Sequence, residues 1–136
     1  MSGRLVYMNG EFVAEKDAKI SIYDSALMFG DMIFEMTRSF NKQHFMLNEH
    51  LERLFLSAKI LHIDMKMNVD ELESICHETT SINDPFFEDD DEHRLMINVS
   101  RGPLGIYSHL FGDELRPTIV VADFPLKWTV AAMAPL

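Results

Sequence analysis

The run SALMFGDMIFEMTRSF, residues 25–40, sets Asp31, Glu35 and Arg38 inside an apolar stretch. Charged groups in such a run cost several kcal/mol unless they are paired or face a polar cleft. Alternation places Met32, Phe34, Met36, Arg38 and Phe40 on one face of a strand, and Ile33, Glu35, Thr37 and Ser39 on the other. The apolar partners of Arg38 predict that its face is at least half buried. Glu35 is expected to pair with a backbone or basic group, and Asp31 to fix the turn. A second set follows in LNEHLERLFLSAKIL. His50, Arg53 and Ser57 lie at i, i+3 and i+7, a polar stripe along one helix. A guanidinium there offers a planar fork of donors to a phosphate or carboxylate. The spacing equally allows a surface ion pair of Arg53 with Glu49, and both readings stand on spacing alone. Arg94 and Arg101 bracket a later strand. Arginines at strand and helix edges of an acidic chain point to an anionic small molecule.

Other chemistry finds less support. The histidines at 44, 50, 62, 77, 93 and 109 form no His-x-x-x-His pair and join no cysteine motif, so no metal site is expected. Ser25 and Ser57 lack a nucleophile-elbow context. Cys76 falls on the apolar face of a predicted helix and reads as packing. As the single cysteine it excludes an internal disulfide and fits a reducing, cytoplasmic setting. The N-terminus shows no signal-peptide pattern, and no apolar run is long enough to span a bilayer. The net charge of −10 argues against nucleic acid. The acidic run Glu88–Glu92 reads as a solvated loop, because a calcium loop would need alternating ligands and a glycine at the bend.

The elements that position these groups are legible in outline. The 136 residues suit one core. Asn9-Gly10 predicts a type I′ turn joining strands Leu5–Met8 and Glu11–Ala14, with a third extended piece at Ala18–Ile22. Residues 23–30 are expected to form a loop ending on Gly30, whose backbone freedom lets a ligand approach. Strands are predicted over 32–40, 43–47, 93–100 and 117–124. Apolar spacing predicts one helix of about 14 residues capped by Asn48, and a second from Asn68 or Val69 to about Thr79. The segment after Pro125 shows no clear partner. The fold class is α+β, with a mixed or antiparallel sheet and two helices.

Taken together, YMNGEFV, DAKISIYD, FGDMIFEMTR, HLERLFLSAKIL and NVSRG resemble the N-terminal half of class IV aminotransferases. These are the fold-type IV pyridoxal-phosphate enzymes, which include branched-chain and D-amino-acid aminotransferases and aminodeoxychorismate lyase. The resemblance runs from about Val6 to Phe124, and FGD-x-x-FE followed by HLxRL is specific as a pair. It implies the small N-terminal domain of the D-amino-acid aminotransferase-like fold over residues 1–124, with 125–136 opening an interdomain linker. It implies pyridoxal 5′-phosphate as cofactor and an amino acid or 2-oxo acid as substrate. Arg53 then sits where the family grips the cofactor phosphate. Phe29, Gly30, Phe34 and Arg38 match pocket positions. Arg94 aligns approximately with a residue near the substrate carboxylate, Arg101 lies in a TRG-like turn, and His109 approximates a carboxylate-trap histidine. Met32 and Met36 replace residues that are usually small, so Met36 narrows the pocket beside Phe34. Ser25 stands where an arginine is common.

The resemblance places the Schiff-base lysine in a second, C-terminal domain, beyond Leu136. Lys127 does not match its motif, so no catalytic residue is assigned and the isolated, truncated chain is expected to be inactive. A homodimer or a C-terminal-domain partner is expected, with no nucleic acid or membrane partner. Two alternatives remain: a non-catalytic oligomerisation or interaction module built on this fold, and an aminodeoxychorismate lyase-like enzyme with the same cofactor.

Overall fold

A computed structural model describes residues 3–112 and 115–133. The first elements follow from the Asn9-Gly10 turn. Asn9 and Gly10 both take positive φ, and β1 (Leu5–Met8) pairs antiparallel with β2 (Glu11–Ala14), as the sequence predicts. The third extended piece does not form. Residues 15–17 make a 3-10 turn, and 18–20 carry no regular structure.

The expected loop before Gly30 is largely a short helix, α1 (Ser25–Phe29). Asp24 caps it by accepting the Ala26 N–H, and Gly30 stops it in the left-handed region at φ 68°. Asp24 is a buried hub, because Ser100 and Thr118 hydroxyls also donate to its carboxylate at 2.6 Å each. That hub ties α1 to two strand ends and fixes where the following strand begins.

β3 (Met32–Phe40) turns through Asn41 and Lys42, both at positive φ, into β4, which is only Gln43–His44. The predicted strand to Leu47 is cut short because the chain enters α2 (Leu47–Ile60). Asn48 is not the cap. Met46 holds that place in a left-handed conformation with no side-chain bond, and burial of Leu47 fixes the junction. α3 (Val69–Asn83) begins at a capping box. The Asn68 side chain accepts the Glu71 N–H, and the Glu71 carboxylate accepts the Asn68 N–H. It runs one turn past the predicted end. β5 (His93–Ser100) and β6 (Thr118–Pro125) follow, and the unassigned tail forms α4 (Leu126–Met133).

The sheet order is β2-β1-β6-β5-β3-β4, with antiparallel pairing throughout. α2 and α3 cover one face. Leu51, Leu54, Leu72 and Cys76 from the helices meet Leu95, Ile97, Val99 and Val121 from the sheet, all fully buried. Each aliphatic side chain removed from water contributes roughly 1.5–3 kcal/mol. The fold is therefore α+β, two layers deep, with the second sheet face left open.

That open face corrects one expectation. Met36 and Arg38 are half-buried as expected, but Phe34 is 63% exposed and Phe40 is exposed too, whereas Glu35, Thr37 and Ser39 are buried. The register explains it. Glu35 lies opposite Ile97 and Thr37 opposite Leu95, so these residues share the face that β5 gives to the helices. The acidic run is also not simply solvated. Glu92 accepts the Ser39 hydroxyl and the N–H groups of Asn41 and Lys42, while Asp91 is buried.

Candidate functional site

The site assembles around β3, whose outer edge is paired with β4 only at Ser39 and Phe40. Residues 32–37 therefore have no strand partner on that side.

On the helix side, Glu35 is 6% exposed and takes both carboxylate oxygens to one guanidinium. Arg53 Nε donates to Oε2 at 2.7 Å and Nη2 to Oε1 at 2.6 Å, while His50 Nδ1 lies 2.7 Å from Oε1. The i, i+3 spacing of His50 and Arg53 aims both at this one residue. Glu35, not Glu49, is thus the partner of Arg53. The Arg53 bonds outweigh burial and hold the Glu35 carboxyl below its ordinary value, so it stays ionised; Arg53 in turn is raised by the same bonds. The Arg53 side chain is 68% exposed. Its Nε and Nη2 are fixed, and Nη1 has no partner among the described residues. An exposed but oriented guanidinium suits one contact with a phosphate. It is not a whole phosphate site, since Glu35 offsets its charge.

On the open face, cross-strand register brings three predicted pocket residues together. Phe34, Met36 and Arg38 lie opposite Asn98, Met96 and Arg94. Arg38 donates from Nε to the Ser39 carbonyl and stacks 3.8 Å over the Phe40 ring. Arg94 reaches only the Met36 sulfur, at 3.1 Å from Nη2, and its buried Nε has no partner. Like charges directly opposite are unfavourable. Neither arginine meets a carboxylate among the described residues, so an anion on this face would relieve both. A hollow of about 190 Å³ continues the face, lined by Met32, Asn98, Ser100 and Val120 among others.

The remaining predicted residues lie apart from this cluster. Phe29 ends α1 with its ring exposed, and Gly30 serves that helix terminus. Arg101 is a tie across the fold: Nε donates to Asp31 at 2.7 Å, Nη2 to the Leu61 carbonyl at 2.9 Å, and Nη1 to that of His62 at 3.2 Å. His109 is exposed on the 3-10 segment Gly105–Leu110. Lys127 is held by Glu88 and Asp90 at 2.8 and 2.7 Å, bonds that raise its pKa and keep it charged. A site missed from the sequence is the buried His93, set between Asp123 at 2.7 Å and Asp84 at 2.8 Å. No spacing could reveal it, because His93 on β5 takes its two partners from two other elements, β6 and the end of α3.

Comparison with known proteins agrees with the fold. The profile of the family Amino-transferase class IV matches residues 32–135. A putative branched-chain-amino-acid aminotransferase of Methanocaldococcus jannaschii is 38% identical over 121 residues, covering 89% of this chain and 40% of that protein. A D-alanine aminotransferase of Staphylococcus aureus is 36% identical over 116 residues, 85% of this chain and 39% of that one. Among solved structures, the T.th. branched-chain amino acid aminotransferase with pyridoxamine 5′-phosphate superposes with TM-score 0.72 at 25% identity, over 91% of this chain and 41% of that chain. The chain spans about two-fifths of the length of the relatives it matches.

Proposed function

Because the chain belongs to the class IV aminotransferase family, with the fold of its N-terminal domain, we propose that it forms the pocket wall of a pyridoxal 5′-phosphate-dependent aminotransferase acting on amino acids and 2-oxo acids. The observation that carries this reading is Arg53, fixed on the helix side of β3 by buried Glu35 and by His50's shared hold on Glu35, and still 68% exposed. When bound, the cofactor supplies the electron sink for exchanging an amino group with a carbonyl. Arg53 anchors its phosphate. Phe34 lines the pocket, and Arg38 and Arg94 attract the anionic substrate to the open face and orient it. Arg101 contributes indirectly, by holding the Gly30–Asp31 turn in place.

Transamination also needs a lysine able to lose its proton beside the cofactor. Lys127 is paired with Glu88 and Asp90 and does not fill that role. The exposed Ile22, Leu27, Phe29 and Ile106 favour burial of the α1 side by a second subunit, which would make the working form a homodimer. A cytoplasmic setting belongs to the same reading and is supported by the free, buried Cys76. Lyase chemistry on the same cofactor would use the same contacts, and none of them favours it.

The test is cofactor retention. Arg53→Ala is expected to lower the affinity for pyridoxal 5′-phosphate by about tenfold or more, the scale of a lost charge-assisted contact. Arg53→Lys, a point charge without the fork, should fall between. Retention equal to wild type, read by absorbance of the bound cofactor after gel filtration, rejects the reading.

A further inference from the structure

A cleft of about 490 Å³ lies between β4 and α3, with His44, His77, Thr80, Ser81, Asp84 and Lys42 on its walls. It shares no residue with the groups assigned to cofactor or substrate. His44 is half-buried on β4, and His77 is exposed on α3. The Thr80 hydroxyl lies 3.1 Å from the His77 carbonyl and 3.3 Å from that of Cys76. Carbonyls only accept, so the hydroxyl hydrogen is spent on the helix. Its oxygen is left to accept from His44 Nε2, 3.0 Å away. That fixes the tautomer: Nε2 carries the hydrogen and Nδ1 a bare lone pair. Nδ1 is buried and has no partner among the described residues. A buried acceptor left empty costs free energy until something fills it.

His77 brings a second imidazole, edge to face with the first, ring centres 4.8 Å apart at 81°. Two imidazoles sharing one ion, with metal–nitrogen bonds of about 2.0–2.1 Å at right to tetrahedral angles, have ring centres roughly 4.5–5.3 Å apart. The pair therefore stands at the separation a shared ion requires. Thr80 on the far nitrogen of His44 is the kind of outer partner that orients a ligating histidine and fixes its tautomer. The Asp84 carboxylate on the same wall eases the entry of a cation, while Lys42 is turned to the Glu88 carbonyl at 3.1 Å and to Asp84 at 3.6 Å.

We propose that His44, through Nδ1, and His77 form a two-histidine site for a borderline divalent cation of the zinc type. Among the described residues no group of three or more His, Cys, Asp or Glu side chains is placed to hold a metal ion, so the protein supplies two ligands and water completes the shell. Imidazole ligands favour zinc over magnesium and calcium, which demand oxygen. Binding ties the β3–β4 hairpin to α3 and stabilises the fold by mass action.

The probe is zinc chloride, titrated by calorimetry into the metal-free protein at neutral pH in a buffer that does not chelate. Wild type is expected to take up one ion and to melt at a higher temperature with it. His44→Gln and His77→Gln should each lower the affinity about tenfold or more, whereas His62→Gln, elsewhere on the surface, should leave it unchanged. Thr80→Val should cost about tenfold through the lost tautomer, and Thr80→Ser should restore it. In nitrogen NMR of the imidazoles, zinc should shift His44 Nδ1 while Nε2 keeps its proton. Magnesium chloride should produce none of these changes. The site is wrong if wild type takes up no zinc, if zinc binds equally well to the His44→Gln and His77→Gln variants, or if the ion takes His44 Nε2 instead. Since His77 is exposed, a folded His77→Gln variant keeps the test decisive even where a change at His44 or Thr80 perturbs packing.

Discussion

Glu35 decides how Arg53 behaves. An exposed arginine normally samples many rotamers and costs entropy to order. Here a buried carboxylate holds two of its nitrogens, so the guanidinium is oriented before any ligand arrives. The pH dependence of that hold follows from the shift. Glu35 titrates below its ordinary value of 4.5, first because of the Arg53 bonds, so the tie is fully present above that value and is lost as pH falls through the lowered pKa. The Nε–H signal of Arg53 should therefore persist in NMR spectra at pH 4.5 and disappear only at more acidic pH. In Glu35→Gln it should be weak at every pH, and cofactor affinity should drop about threefold through lost orientation. An unchanged Arg53 signal in the Glu35→Gln variant would show that the carboxylate does not position the guanidinium.

The elements show why some of this could be read in advance. α3 announces its start through Asn68 and Glu71, a local signal that needs no tertiary information, and the capping box forms as spaced. Asn68→Ala should cost about 1 kcal/mol in urea unfolding and speed amide exchange in the first turn of α3. An unchanged midpoint would mean that packing of Leu72 and Cys76 alone sets that terminus. The start of α2 is different. Asn48 looked a better cap than Met46, but burial of Leu47 and the tight turn after β4 outweigh the local preference. β3 teaches the same lesson on a larger scale. Its period was legible, and so were the two sets of residues it separates. Which set faces inward was not, because that depends on β5, far along the chain, delivering Leu95, Ile97 and Val99 to the helices. On the polar side of β3, Arg53 and His50 satisfy Glu35 and Glu92 satisfies Ser39, while the buried Thr37 hydroxyl has no partner. The stripe on α2 was visible as spacing, but its target was a residue whose inward face the strand alone could not disclose.

For the molecule as a whole, two histidines set opposite limits on stability. His44 packs beside His77 and Thr80, and burial, then the nearby His77 and His93, press its pKa down to about 4. Its neutral form is the folded form, so the molecule loses stability as pH falls from 6.5 towards 4, by about 1–2 kcal/mol after allowing for partial exposure. His93 runs the other way. Burial favours its neutral form, but Asp123 from β6 and Asp84 at the end of α3 overcome that and raise its pKa. Lys42 from the β3–β4 turn reaches Asp84 at 3.6 Å, and the Phe87 ring covers the imidazole at 4.1 Å. Burial also raises the Asp123 carboxyl, against the lowering effect of its bond to His93. The charged imidazole is thus the stabilising form below 6.5, and its contribution disappears as pH climbs through the raised value. Urea midpoints should peak near neutrality and decline on both sides. His93→Gln should lose about 3 kcal/mol at pH 6, because the buried Asp123 loses its cation and Asp84 keeps only Lys42, and it should flatten the alkaline decline. His44→Gln should flatten only the acid side. If both variants keep the wild-type profile, the limits come instead from the overall charge of −10, whose self-repulsion grows with pH, and the histidine pairings contribute only packing.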